Sequence, residues 1–359
     1  MHPLHYNFHT RCRNGMHAVT RLAAAAAFFV APLSVAADDR PLLQCDWKEA
    51  CELQLYIEND SIGSRTDRYY TNGIKLGGGI RAERILERLF QEPAERVLKR
   101  FLDNPGEARL GLFIGQNLYT PKRITVVEPQ PFDRPWAAWL YVGGVAQSVA
   151  GDRLQTAEFD LGMIGPAALG EEVQKAWHKL VDADRPLGWH NQLKNEPGLM
   201  LSYLEKWRFG ERNGLQFVPH FGASIGNVMT LARVGSIVRF GRNMTGFGPD
   251  TIEPGGAMLQ RVRREDVHAP ENRREWYLFA GADARAVGYN IFLDGNLFRS
   301  GGPSVDRRPF VYDLKAGFSM RIPPARISYT QIWRSEEFTT ALGGGGSQRF
   351  QSINLSWEF

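Results

Sequence analysis

Long hydrophobic runs are what this 359-residue sequence most lacks: beyond Leu33 no stretch approaches the roughly 18 consecutive apolar residues of a membrane-spanning helix, so a helical membrane protein is excluded. Acidic residues are missing before Asp38, while Arg11, Arg13 and Arg21 lie in that stretch, followed by the apolar run Leu22 to Leu33 and the small-residue site Ser34-Val35-Ala36. Together these predict a secretory signal peptide over 1–36 and an exported domain over 37–359. Met16 opens a conventional signal by itself. Loss of the three arginines takes a formal charge of +4 close to neutrality, which argues against nucleic acid as a partner. Cysteine is scarce, three in all, and Cys12 leaves with the signal. Cys45 and Cys51 remain to close a short disulfide in an oxidising compartment or to stand as two thiols, too few for a metal or redox centre.

What is abundant is glycine, at 37 residues, and aromatic side chains, with nine Trp, 11 Tyr and 21 Phe. Export, glycine, aromatics and short alternating segments fit an outer-membrane β-barrel, whose strands escape hydropathy scans because only every second residue faces lipid. Alternation predicts twelve strands, near 52–58, 70–80, 108–118, 137–149, 153–164, 198–209, 215–224, 233–241, 275–287, 309–321, 326–335 and 348–359. The last ends on Phe359, with Gln351, Ile353, Leu355 and Trp357 on one face. The predicted fold is all-β: one twelve-stranded antiparallel transmembrane barrel, expected as a monomer, with a short helix in an extracellular loop.

With both termini periplasmic, strand parity sends loops 59–69, 119–136 and 165–197 to the outer side, and these three are the richest in reactive side chains. An amphipathic helix is expected in the connection 81–107, and parity also puts the long polar segment 242–274 on the periplasmic side. In the third outer loop a helix is expected from Gly165-Pro166 to about Val181. Leu169, Val173, Ala176 and Leu180 share one face, and Glu171, Gln174, His178 and Asp182 share the other. That places the His178 imidazole on a polar face, with Asp184 near enough to orient it or to bind a cation.

Asn59 and Asp60 close the first strand and Thr71 opens the second. Their oxygens are hard ligands suited to calcium, with Asp60 and Asp184 the candidate carboxylates, although Asn-Asp pairs more often serve turns. Lys122, Arg123 and Arg134 are candidate phosphate-binding cations at the mouth, the plain alternative being a solvated basic loop. Gly222-Ala223-Ser224-Ile225-Gly226 matches the nucleophile-elbow pattern but sits on a strand without its turn and helix.

Four ordered blocks carry a resemblance that spans nearly the whole exported chain: Glu58-Asn59-Asp60 with Thr66 to Gly73; Gly115-Gln116-Asn117-Leu118-Tyr119-Thr120-Pro121; Asp133-Arg134-Pro135-Trp136 to Tyr141; and Ile164-Gly165-Pro166 through Gln174 and His178 to Gly188-Trp189-His190-Asn191 and on to Gly198. The chain resembles the outer-membrane lipid A 3′-O-deacylases. The resemblance implies a twelve-stranded barrel in the bacterial outer membrane, a Ca²⁺-dependent site at its outer end, and lipid A of lipopolysaccharide as substrate. It implies functional positions for Asn59, Asp60, Thr71 and His178. Asp184 stands where the family carries glutamate, one methylene longer, and Lys122 and Arg123 lie near a family basic pair. The expected activity is hydrolysis of the ester-linked 3′ acyl chain with His178 as general base. An outer-membrane phospholipase, a passive porin-like barrel and a non-enzymatic binding barrel are the alternatives.

Overall fold

The computed structural model describes residues 52–61, 68–81, 102, 109–253 and 274–358. The expected signal peptide, the Cys45–Cys51 pair and, apart from Arg81 and Leu102, the helical connection 81–107 lie outside them, as does the second part of the 242–274 segment.

Twelve strands form one closed antiparallel barrel: β1 (Glu52–Asn59), β2 (Tyr69–Arg81), β3 (Arg109–Thr120), β4 (Ala137–Ala150), β5 (Arg153–Ile164), β6 (Glu196–Trp207), β7 (Leu215–Gly226), β8 (Met229–Arg242), β9 (Glu275–Asn290), β10 (Phe310–Ile322), β11 (Ala325–Arg334) and β12 (Gln348–Glu358). Each pairs with its chain neighbour, and β1 closes the ring against β12 in a register that runs from Glu52↔Glu358 to Asn59↔Gln351. The expected strands all form, with ends shifted by a few residues. Loops 60–68, 121–136 and 165–195 leave the same rim, opposite the end where β1 begins and β12 ends; we call this rim the upper one.

Period-two alternation sorts the side chains. Leu112, Ile114, Val142, Leu161, Val234, Leu278, Leu314 and Leu355 are exposed on the outer face. Trp276 and Trp357, with Phe217 and Phe240, gather near the lower rim, and Phe310, Tyr312 and Trp333 near the upper, the aromatic placement of a lipid-embedded barrel. No helix among the described residues is long and apolar enough to cross a membrane.

The lumen is filled. Ion pairs line it: Lys75–Glu158 at 2.7 Å between β2 and β5, Lys315–Asp283 at 2.7 Å with His220 on the other carboxylate oxygen, and Arg285–Asp313 at 3.0 Å between the neighbouring β9 and β10. Through it climbs the first part of the segment that parity sends to the lower side. From the lower rim, residues 243–253 turn inward: Arg239 donates to the carbonyls of Thr245 and Gly246, Phe247 packs against Leu154, Val218 and Ile237, and Asp250 pairs with Lys206 at 2.6 Å. Ile252 reaches the upper half among Tyr56, Tyr70, Phe113 and Tyr119. For residues 244–253 the expected lower-side location is therefore corrected, their polar groups finding partners inside the barrel.

From above, the short helix α2 (Ile291–Asp294) lowers Ile291 and Phe292 into the same cluster, where Phe292 stacks on Tyr119 at 4.0 Å. A cavity among Gln54, Tyr56, Gly248, Tyr277, Ser328 and Asn354 keeps only ≈ 30 Å³, room for a water or two. In a planar lipid bilayer the protein is expected to show no steady ion conductance, unlike a porin of similar strand number; sustained open-channel current from the unaltered barrel would contradict this packing.

Candidate active site on the outer face of the wall

Asn59 ends β1 on the face that carries Leu53, Leu55 and Ile57, the outer one, and its Cα partner on β2 is Asn72. Between β2 and β3 the register skips from Tyr70↔Tyr119 to Asn72↔Leu118, so Thr71 is the extra residue of a bulge. The bulge re-aims its side chain: Tyr70 stays in the lumen, and the Thr71 hydroxyl meets the Thr120 hydroxyl at 2.6 Å. Thr120 lies on the same face of β3 as Leu112, Ile114 and Leu118. Asp60 donates its N–H to the Thr71 carbonyl at 3.2 Å, and its carboxylate Oδ2 accepts the Arg68 N–H at 2.7 Å. Asn59 Oδ1 accepts the Ser61 N–H at 2.7 Å, the turn expected of an Asn-Asp pair. All three are nearly buried, at 6 %, 1 % and 3 % exposure for Asn59, Asp60 and Thr71.

The third outer loop lays helix α1 (Gly170–Val181) against the outer face of β3 and β4, next to the β1–β2 rim. A short 3₁₀ turn at Pro166–Ala168 precedes it, and Leu169 and Asp182, both at φ 57, bracket it in left-handed conformations that side chains adopt at a cost of about 1–2 kcal/mol. Gln116 on β3 donates to the Ala168 carbonyl at 2.6 Å. Leu118, Ile124, Trp136, Ala138, Ala168 and Trp189 form an apolar cluster between helix and barrel, and Trp189 Nε1 donates to Gln174 Oε1 at 2.7 Å. The approach is close because residue 170 is glycine, where a Cβ would stand 2.4 Å from that of Ala138.

The buried face of α1 is largely polar. Gly170, Gln174 and His178, spaced by four, are its buried face, while Leu169 and Leu180 are 49 % and 40 % exposed. Leu169 and Leu180 face away from the wall, Val173 packs on the apolar cluster beside it, and the polar Gln174 and His178 are turned inward. His178 Nδ1 contacts the main-chain carbonyl of Asp184, brought round by a tight turn in which Ala183 N–H bonds to the His178 carbonyl at 2.9 Å. A carbonyl only accepts, so Nδ1 carries the proton and Nε2 is the basic nitrogen. The expected orienting contact exists, but the Asp184 main chain makes it, and its carboxylate is exposed.

Lys122 and Arg123 project from the second loop and are exposed. Arg134 does not. It is 1 % exposed, lies over the Tyr119 ring at 4.6 Å and pairs with Glu337 at 2.9 Å, so the expected phosphate contact is corrected to an internal ion pair. Burial alone would raise the Glu337 carboxyl, but the guanidiniums of Arg134, Arg334 and Arg285 hold it below the ordinary glutamate range. Ser224 faces the lumen, 5 % exposed, with its hydroxyl 2.8 Å from that of Ser202, which is no setting for a nucleophile. Among the described residues no three His, Cys, Asp or Glu side chains gather to bind a metal. The oxygens of Asn59, Asp60, Thr71 and Thr120 are instead a mixed carboxylate, amide and hydroxyl set, chemically compatible with calcium rather than with a transition metal. Gln116, Thr120 and Trp189 are the contributors that sequence reasoning did not single out.

The sequence profile of the family described as outer membrane protein LpxR matches residues 22–359. No curated protein matches by sequence. Among solved structures the chain is similar to LpxR from Salmonella typhimurium, with 22 % identity over 86 % of this chain and 100 % of that one and a TM-score of 0.67. Looser likenesses include the β domain of the Bordetella autotransporter BrkA (11 % identity, 87 % and 98 % covered, TM-score 0.39) and the translocator domain of the autotransporter NalP from Neisseria meningitidis (8 %, 98 % and 97 %, 0.39).

Proposed function

This chain belongs to the LpxR family of outer membrane proteins, and from that premise we propose that it is a hydrolase that removes the ester-linked 3′ acyl chain of lipid A. The observation that carries the proposal is the direction in which the polar groups face. Asn59 and Thr71 on the wall, and Gln174 and His178 on α1, lie on the outside of the barrel at its upper rim, where the ester of an outer-leaflet glycolipid meets the wall and its acyl chains stay in the bilayer.

His178 Nε2 takes a proton from water, whose oxygen attacks the ester carbonyl. The tetrahedral intermediate collapses with loss of the sugar 3′ oxygen, which recovers the proton from His178, leaving a free fatty acid and a 3′ hydroxyl. Asn59 and Thr71 present an amide and a hydroxyl to the developing negative charge. Calcium, bound by Asp60 with the oxygens of Asn59 and Thr71 and with the Asp184 carboxylate as a further ligand, would supply positive charge to polarise the carbonyl. Lys122 and Arg123, exposed on the neighbouring loop, would meet lipid A phosphates. The barrel closes on a single chain, so a monomer suffices.

The test offers the purified protein lipid A and phospholipid together and follows both by mass spectrometry. Loss of the 3′ acyl group from lipid A is expected, with phospholipid intact. Fatty acid released from phospholipid alone would overturn the assignment.

A further inference from the structure

The motif Glu58-Asn59-Asp60 contains one residue that the reaction does not use. Glu58 points the opposite way from Asn59, into the lumen, and is fully buried. Its two carboxylate oxygens have distinct partners: Oε1 accepts the main-chain N–H of Ile252, at the tip of the internal segment 243–253, and Oε2 accepts the Tyr70 hydroxyl, each at 2.8 Å. Tyr70 is held from the other side, its N–H donating to Gln348 at 3.0 Å and its ring meeting Phe350 edge-on at 5.1 Å. Gly73, the Cα partner of Glu58, makes this fit: a Cβ there would lie 2.0 Å from the Tyr70 hydroxyl and 3.2 Å from Ile252. The next residue, Glu253, locks the tip by pairing with Arg334.

The residues on either side of this lock belong to the site. Glu58 is bonded in the chain to Asn59, and Tyr70 to Thr71. We propose that Glu58 is a positioning residue. By joining the internal segment to Tyr70 on the lumen side, it fixes the β1–β2 rim and so holds Asn59, Asp60 and the bulged Thr71 in place on the outer side. The segment 243–253 then braces the site through the thickness of the wall. This rests on the assignment of those three residues to the reaction. The physical warrant is that Glu58 is the tie between this rim and the internal segment, and a misplacement of about 1 Å in a catalytic group costs up to about 100-fold in rate.

The test compares Glu58→Ala, Glu58→Gln and Ile252→Pro, each confirmed folded by heat-modifiable electrophoretic mobility. Gln keeps both contacts, accepting from Ile252 through its oxygen and donating to the Tyr70 hydroxyl through its amide. Pro removes the Ile252 donor while leaving Glu58 and Tyr70 unaltered, at the further cost of the Ile252 side chain. In Glu58→Ala, kcat on lipid A is expected to fall about 10- to 100-fold with KM little changed. Glu58→Gln should recover most of it, and Ile252→Pro should reproduce the loss without adding to it in the double variant. Hydrogen exchange, which needs no substrate, should quicken in peptides covering 52–61 and 69–81 of Glu58→Ala. If the unaltered protein leaves lipid A intact while exchange quickens as described, the reaction is misassigned and the positioning role stands. A folded Glu58→Ala with full kcat, a loss that Gln does not recover, or unchanged exchange at the rim overturns the proposal.

Discussion

His178→Ala is expected to lower kcat on lipid A by about 10²–10⁴-fold, the usual contribution of a positioned general base, with little change in KM. The loss should be chemical rather than structural. Helix α1 is held to the wall without this imidazole, by Gln116 on the Ala168 carbonyl, by Trp189 on Gln174, and by the cluster around Leu118 and Trp136. The variant should therefore insert and keep the heat-modifiable mobility of a closed barrel, so that steady-state kinetics on lipid A micelles reads the base alone. Because the Asp184 main chain holds Nδ1, any loss in Asp184→Ala reports its carboxylate as a ligand and not the orientation of the ring.

Asp60→Ala is the second large effect, about 10²–10³-fold in kcat, the range for removing a group that stabilises developing charge. The main-chain bond from Asp60 N–H to the Thr71 carbonyl survives the substitution, and the lost acceptor for Arg68 N–H costs only about 1 kcal/mol of stability. Removal of calcium by a chelator should depress the unaltered enzyme to a similar degree and restoration of the ion should reverse it, while in Asp60→Ala the chelator should add little. Activity in the unaltered enzyme that is indifferent to chelation would remove calcium from the account.

Much of the barrel was legible because each strand announces its face. Leu53, Leu55 and Ile57, or Leu112 and Ile114, repeat at period two on the outer face. The helix over 170–181 was legible from its 3.6 period, but its orientation was not. The same stripe of Leu169, Val173, Ala176 and Leu180 serves a helix that packs inward in water or outward toward lipid, and periodicity carries no information about the surroundings. The internal segment was hidden for another reason. Residues 243–253 show neither period, and the partners of the tip lie far along the chain: Glu58 for Ile252, 194 residues away, and Arg334 for Glu253, 81 away. Arg134 resembled a surface cation because its partner, Glu337, is 203 residues distant. The Thr71 bulge was foreshadowed only by a threonine between Tyr70 and Asn72, a position that strict alternation assigns to the wrong face.

Substrate is expected to meet the outside of the wall beside α1 and never to enter the lumen. A photo-crosslinking benzophenone side chain placed in the His178→Ala background tests it most directly, at Leu180 on the exposed edge of α1 and separately at Phe350, buried in the upper lumen. A covalent lipid A adduct is expected from position 180 and none from position 350; capture from position 350, with position 180 silent, would put the substrate in the lumen instead.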